Sequence, residues 1–487
     1  MSSNVYNPMG ALIGKPYMKA ADLDAIEEAG ATDDSIERLS SEWVEDTRAS
    51  IKWYAANNDH LMSIIETKVA GVVGTGINIQ SRIKGEKEIN QAIEEIIEIA
   101  SEDENCEVTG RWHLNGAIRA MVAFAEKDGG FIVRHHYDKA WWIPYKFELV
   151  SMNMVDIKKT DTRSNTLNGI KKDKYGKIES VWIYTDESKT ASEEVSAQEL
   201  IYFSPVWISL EQYTAVSKLV AILPSIEKLD KYVSAELEAA IEKAKAGKYW
   251  KTALYDDIIK MAKDMVNTAS TDETRRAASN EIKNIMKILA NQGVKPHGLS
   301  AIPLSDDIVT ERDTTDTIYP SLSKTTRNSA SAATGQAGII TGQDPSDANY
   351  SAMKGVLGLT EINWAITFDD MKNRVIDKIM RKIISAAVMA GKLEIKDFWQ
   401  NPRKYYKLEY MRVTGIDIEP SKTADANDKN IKNGLTTQRE IARKRGRDIE
   451  EIIREKLEDE ILEEIMRKEM RKEAGLKEEE EENEKDN

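Results

Sequence analysis

From Tyr350 to Ala390 the apolar residues recur at helical spacing, and the run stops only at Gly391. At 1.5 Å per residue such a helix is roughly 60 Å long, beyond the reach of a normal domain element. An architecture that contains it must have something for it to span. The whole chain has 487 residues, a prior of about three domains, and 41% hydrophobic with 31% charged residues supplies cores for them. No stretch approaches the ~20 uninterrupted apolar residues that cross a bilayer. Met1 to Gly14 lacks a basic segment followed by an apolar one, so neither secretion nor a membrane anchor is expected. The single cysteine, Cys106, excludes an internal disulfide and a thiolate-rich zinc site, which suits a reducing cytoplasm.

The remaining segments are shorter. Residues 1–40 mix Gly, Pro and Ser with an acidic run from Asp22 to Glu28 and read as a loose arm. Glu42 to Ala70 suits an amphipathic helix, interrupted at Asn57 and Asn58, and Gly71 to Ile79 reads as a glycine turn entering a strand. Helices are expected at Lys87–Ala100 and Leu114–Glu126. Strands follow at Phe131–His135, Phe147–Ile157 and Ile178–Tyr184, with turns at Asn168-Gly169 and Tyr175-Gly176. Helical periodicity returns over Val216–Ala246 and Ile258–Leu289, the polar stretch Ser270–Ser279 lying inside the latter. A small β-containing excursion spans Gly293–Asp316, Tyr319–Gly335 reads as a poor helix, and Gly335–Asn349 as an irregular loop. After the long helix come an extended segment, Trp399–Val413, a polar linker, Ser421–Asn433, and helices at Thr437–Arg445 and Asp448–Arg471. The acidic run Glu478–Glu482 repels itself and reads as a disordered tail. The fold class is α+β.

Catalytic chemistry finds no anchor in these residues. Gly71, Gly74 and Gly76 precede a strand instead of opening a helix, and no Lys-Ser/Thr pair follows, so they read as a turn and not a phosphate cradle. His135 and His136 are neighbours on a strand and face opposite ways, which prevents both from reaching one metal with Asp138. None of the five histidines accompanies a nucleophile in a recognisable elbow. Cys106 lies among acidic residues, which raises a thiol pKa and opposes reactivity. The stripe Ile449, Ile452, Ile453, Leu457, Ile461, Ile465 and Met470 fits a partner-binding helix and a core face equally. The basic cluster Arg443 to Arg447 reads as a solvated helix face. With 68 Lys plus Arg against 83 Asp plus Glu the net charge is −15, the opposite of a protein that grips duplex DNA. An acidic chain can still meet DNA through a few local basic residues, or line a passage whose walls must not hold the polyanion, and net charge alone does not choose between the two.

Four separated segments resemble the lambda-type portal protein family of tailed bacteriophages. Gly342 to Lys354 is similar to that family's Asn-Tyr-Ser-Ser-x-Arg signature after a short polar loop, with Ala352 and Lys354 standing in place of serine and arginine. Lysine offers a point charge where arginine offers a bidentate fork. Asp417 to Lys422, Gly434 to Ile441 and Gly446 to Asp448 resemble the family's Asp-Pro-x-Lys-Glu, Gly-Leu-Thr-Thr-x-x-Glu-Ile and Gly-x-Asp blocks. Asn57-Asn58 with Val73 to Ile77, and Ala235 to Ala240, complete the series, while Ser209 to Tyr213 replaces the family's Arg-Pro-Gly-Gln turn. Their order over about 400 residues carries the resemblance.

The resemblance implies a portal fold with an α/β wing, helical stem, small clip, long kinked tunnel helix and helical crown. It implies a wing at 41–271, stem helices at 272–292 and 318–335, and a clip at 293–317. The tunnel loop is then 336–349, the tunnel helix 350–391, the return to the wing 392–434, the crown 435–477 and the tail 478–487. It implies a homo-oligomeric ring, usually a dodecamer, at the capsid portal vertex, assembled in the host cytoplasm and passing double-stranded DNA. The implied partners are the large terminase, the major capsid and scaffolding proteins and a head-completion adaptor. No cofactor, metal or catalytic residue is expected. Lys324, Arg327, Gly342, Gln343, Ser346, Asn349 and Lys354 become the channel and tunnel-loop candidates, with ordinary inter-subunit pairing the plain reading of the three cations. Lys295, His297, Asp306, Glu311 and Arg312 become the docking candidates of the clip. The competing classes are a nucleotide-dependent DNA-processing enzyme built around Gly71 to Gly76 and a helical adaptor acting through the Ile449 to Met470 stripe.

Overall fold

The computed structural model describes residues 36–206, 209–245, 249–251, 260–291 apart from 262, 266 and 269, 300–302, 319–342, 349–412 and 419–473. The chain divides into two units: residues up to 223 together with those from 327 onward, and residues 224–326.

The first unit opens with α1 (Ile36–Asn57) and α2 (Asp59–Val73). The asparagine pair marks their junction. Asn58 is extended, and its side chain accepts a hydrogen bond from the Leu61 amide at 2.8 Å, an N-cap that starts α2. The boundary expected at residue 40 moves forward, since α1 already runs from Ile36; residues 1–35 lie outside the described residues. Gly71 belongs to α2 and not to a turn, which begins at Gly74 with φ 58°. The reason is packing, because a Cβ on Gly71 would lie 2.1 Å from the Trp364 ring.

Next come β1 (Ile77–Ser81), α3 (Lys87–Ser101), the single turn α4 (Asp103–Cys106) and α5 (Leu114–Asp128). The strands are β2 (Phe131–His136), β3 (Lys146–Ser151), β4 (Thr166–Leu167), β5 (Ile170–Lys172), β6 (Ile178–Tyr184), β7 (Ser192–Ser196) and β8 (Leu200–Phe203). β2 is the centre of an antiparallel sheet in the order β3-β2-β8, with Phe131 opposite both Ser151 and Phe203. The period of two divides its side chains between two cores. Phe131 and Val133 join the core of α2, α3 and α5, while Ile132 joins Met152, Val181, Val195 and Val216 behind the sheet. β4 to β7 form an antiparallel meander, turned at Asn168-Gly169 and Gly176 with positive φ. Arg48 of α1 holds this assembly from inside, donating to the carbonyls of Asp128 at 3.1 Å, Met152 at 3.0 Å and Ala215 at 2.7 Å.

The second unit contains most of α6 (Leu223–Lys245), the parallel pair β9 (Tyr249–Lys251) and β10 (Ser300–Ile302), and α7 (Asp272–Asn291). The helix expected to run unbroken through Ser270–Ser279 is interrupted at Ser270 and Thr271. Thr271 and Thr274 exchange side-chain bonds with each other's amides at 3.4 and 3.1 Å, a local capping that competes with continuation of the helix. The unit ends in α8 (Tyr319–Ala333), whose residues from Arg327 belong to the first unit.

After the short α9 (Gly338–Thr341), the long helix appears as α10 (Tyr350–Met371), a π-helical turn at Lys372–Ile376 and α11 (Asp377–Met389). The wider turn lets Met371, Val375, Ile376, Ile379 and Met380 all enter the main core. The segment expected to be extended, 399–413, contains a helical turn, α12 (Pro402–Tyr405), before β11 (Leu408–Arg412), which pairs antiparallel with β1. The polar linker expected at 421–433 is a helix, α13 (Pro420–Lys432), begun by a proline in its first turn and burying none of its residues. Its polarity reports exposure, not irregularity. α14 (Gln438–Lys444) and α15 (Ile449–Glu473) complete the described chain, and the acidic tail lies outside it.

Candidate functional site

The base of the loop between α8 and α10 is fastened by polar groups. His60, on α2, donates from Nε2 to the Arg327 carbonyl at 3.1 Å, and burial pushes its pKa down, which favours the neutral ring. One turn on, the Ser63 hydroxyl donates to the Thr341 carbonyl, and the Ile64 carbonyl accepts from Gln336 Nε2 at 2.9 Å. A further turn on, the buried Lys68 ammonium donates to the Thr334 carbonyl at 3.2 Å and faces Glu126 at 3.5 Å. From the other side, Asn363 of α10 donates to the Gly335 carbonyl at 2.9 Å. Gly335 itself has φ 75°, a conformation that side chains rarely adopt. The buried Gln336 Oε1 and Arg327 Nε find no hydrogen-bond partner among the described residues.

Two helices present apolar side chains that their own chain leaves open. α10 is apolar on nearly every side, and although Thr360 and Phe368 are buried, Leu359, Ile362 and Ile366 are 67%, 57% and 62% exposed. α15 likewise exposes Ile453, Leu457, Ile461, Ile465 and Met470. A helix that is apolar all round belongs inside something. Among the described residues the stripe from Ile453 onward forms no core face, while Ile449 and Ile452 at its start are half-buried.

The sequence candidates fall unevenly on this site. Arg327 is placed in the seam, its carbonyl held by His60 and its guanidinium 3.9 Å from Asp59. Gly342 closes α9, donating from its amide to the Gly338 carbonyl at 2.8 Å. Asn349 is the N-cap of α10, its side chain accepting from the Ala352 amide at 2.8 Å, and that gives the Asn-Tyr-Ser signature a structural task. Lys354 is exposed on the next turn of α10, and Lys324 is exposed on α8. Gln343 and Ser346, and the clip candidates Lys295, His297, Asp306, Glu311 and Arg312, lie outside the described residues.

The other chemical candidates are absorbed by structure. His135 is buried and hydrogen-bonded to the Tyr145 hydroxyl at 2.9 Å, while His136, on the opposite face of β2, meets Glu148 at 2.8 Å. Cys106 is buried, and burial first, then Glu107, pushes its thiol pKa up. In the glycine segment the Gly71 carbonyl accepts from Arg412 at 2.9 Å and the Gly74 carbonyl from Arg119 at 3.2 Å, so the loop is committed to holding the fold. Among the described residues no group of three metal-ligating side chains converges.

A family model, phage portal protein of the lambda family, matches residues 27–361. The chain belongs to that family. This portal protein is also similar to two solved assemblies, the neck of a native GTA particle computed with C12 symmetry and the neck of an empty GTA particle computed with C6 symmetry. The first match has 9% identity and a TM-score of 0.41, covering 81% of this chain and 91% of the other. The second has 9% identity and a TM-score of 0.37, covering 85% and 95%. No curated protein matches the sequence.

Sequence reasoning read Gly335–Asn349 as an irregular loop, where Gly338–Thr341 forms the short helix α9, and missed the groups that fasten its base. His60, Ile64 and Lys68 recur at helical spacing on a helix whose other buried positions are apolar, and this was the available signal. Their partners, Arg327, Gln336 and Thr334, are more than 260 residues away.

Proposed function

We propose that this portal protein closes into a ring of identical subunits, twelve in the family's usual arrangement, around a bore that passes double-stranded DNA during genome packaging and ejection. The exposed apolar face of α10 carries the reading: Leu359, Ile362 and Ile366 face solvent in the single chain, and neighbouring copies around a ring would cover them. Charge supports the same reading. At −15 per chain, twelve copies carry on the order of −180, which repels the polymer from the wall instead of holding it. Exposed Lys354 and Lys324 supply cations for brief phosphate contacts.

In this reading residues 41–271 form the wing and 272–292 with 318–335 the stem. Residues 293–317 form the clip that docks the terminase motor and later the head-completion adaptor. Residues 336–349 form the tunnel loop, with α2 as its anchor, and α10 through α11 the tunnel helix. Residues 392–434 return to the wing and 435–477 form the crown. The ring sits at the capsid vertex of the virion, after assembly with capsid and scaffolding proteins in the host cytoplasm, and works without a cofactor or catalytic centre of its own. No described helix is long and apolar enough to cross a membrane.

Negative-stain microscopy with light scattering on the purified chain tests the proposal. Rings with a central opening wide enough for a duplex are expected; a chain that stays monomeric under every assembly condition refutes it. An accompanying ATP-hydrolysis assay separates the nucleotide-dependent enzyme, which alone predicts turnover.

A further inference from the structure

The loop after β2 meets the end of α11 and the segment bearing Trp399 at two open clefts of about 640 and 620 Å³, which share Tyr137 and Met389 as walls. Large apolar groups stand open there: Tyr137 is 54%, Trp142 40%, Met389 60% and Trp399 60% exposed. The charges lining the clefts are nearly all of one sign, Lys139, Lys378, Arg381, Lys382 and Lys392 against Asp138. Arg381 is paired with Asp377 at 2.6 Å, and Asp138 accepts the Ala140 amide at 2.9 Å. The lysines form no ion pair among the described residues. In a chain of net charge −15, a basic, aromatic hollow of this kind runs against the surrounding field. His135 reports the same local charge: burial first, then Lys382, His136 and Lys378, holds its pKa down to about 4.

We propose that these clefts bind an acidic segment of a partner protein through one or two large apolar side chains flanked by carboxylates. Carboxylates pair with the lysines, and the apolar anchors cover Met389 and Trp399, the combination of buried anchor and charged rim that makes a peptide site specific. Single-stranded nucleic acid, the other polyanion, fits less well. Bases stack on ring faces, and here an ammonium group lies over one face of Trp142 and one of Tyr137: Lys392 Nζ is 5.2 Å from the Trp142 ring centre and Lys382 Nζ 5.8 Å from that of Tyr137. The proposal is independent of ring formation.

The test uses the full chain and a fluorescein-labelled synthetic peptide in which a Trp-Leu pair sits among Asp and Glu residues, read by anisotropy at low and near-physiological salt. Binding that weakens with salt is expected. The double variant Lys382→Glu with Lys392→Glu should lose about tenfold or more in affinity, and Lys382→Gln with Lys392→Gln an intermediate amount. Met389→Asp should also weaken binding, with an unchanged thermal midpoint. Because the lysines are at the surface, the glutamine pair keeps the test valid if the glutamate pair folds poorly. Equal affinity for a lysine-substituted control peptide or tighter binding of labelled single-stranded DNA overturns the proposal. So does a double variant that binds normally. A change in oligomer size on mutation would make a second copy the occupant, and tighter peptide binding after deletion of residues 1–35 would make it the chain's own arm; either result also overturns the proposal.

Discussion

Gly71→Ala should fail to stabilise the protein, although it replaces glycine inside a helix with the best helix former. Propensity alone favours the change by about 1 kcal/mol. The new Cβ, however, would stand 2.1 Å from two carbons of the Trp364 ring. Retreat of the ring is opposed, because Trp364 packs on the main core. The backbone opposite is held as well: the Gly71 carbonyl accepts from Arg412 at 2.9 Å, and Arg412 is paired with Glu361, one turn before Trp364, at 2.6 Å. Overpacking such a contact costs about 1–3 kcal/mol, which cancels or outweighs the propensity gain. In a Trp364→Ala background the obstacle is gone, and the same substitution should stabilise by about 0.5–1 kcal/mol. The coupling between the two positions is therefore about 1–3 kcal/mol. Thermal unfolding of the four proteins, followed by far-ultraviolet circular dichroism, measures it through the midpoints. A shift of the same sign and size in both backgrounds would show that α2 and α10 do not pack through this glycine.

Arg48→Met should lower stability by about 3 kcal/mol or more, because it strips donors from the carbonyls of Asp128, Met152 and Ala215, and a fall in thermal midpoint reads it. Lys68→Met should leave the Thr334 carbonyl and Glu126 unpaired, and hydrogen exchange should then rise about tenfold around residues 334–342 with the rest of the first unit unchanged. His135 has a folded pKa of about 4 against 6.5 for the free group, so the unfolded chain takes up a proton that the folded chain refuses. Its contribution is fully present above about pH 6.5 and is lost as the pH falls toward 4, by up to about 3 kcal/mol, and a His135→Asn variant should flatten denaturant midpoints over that window. Replacing Ile362 and Ile366 with Asp should abolish rings in the microscope while leaving the circular dichroism of the subunit intact; rings of normal size would remove α10 from the interface.

The sequence by itself determined the elements whose signals are local. Periodicity located α3, α5, the strands β2 and β6 and the α11 half of the long helix, because burying one face of a helix or strand imprints its period on the chain. Asn-Gly and glycine turns were legible because they need positive φ, as Asn168, Gly169 and Gly176 show. Ordered short motifs pointed to the portal family. Among the features that were not legible are Gly71 in a helix, the capping break at Thr271, and α13 in place of a linker. Each turns on packing, capping or exposure that composition does not encode. Only the tertiary structure decided that α2 fastens the loop between α8 and α10 through His60, Ser63, Ile64 and Lys68, since those bonds join residues more than 260 positions apart. It also decided which apolar residues of α10 and α15 are left open. A helical period tells how many sides of a helix are apolar, but which side remains uncovered depends on where the rest of the chain has folded.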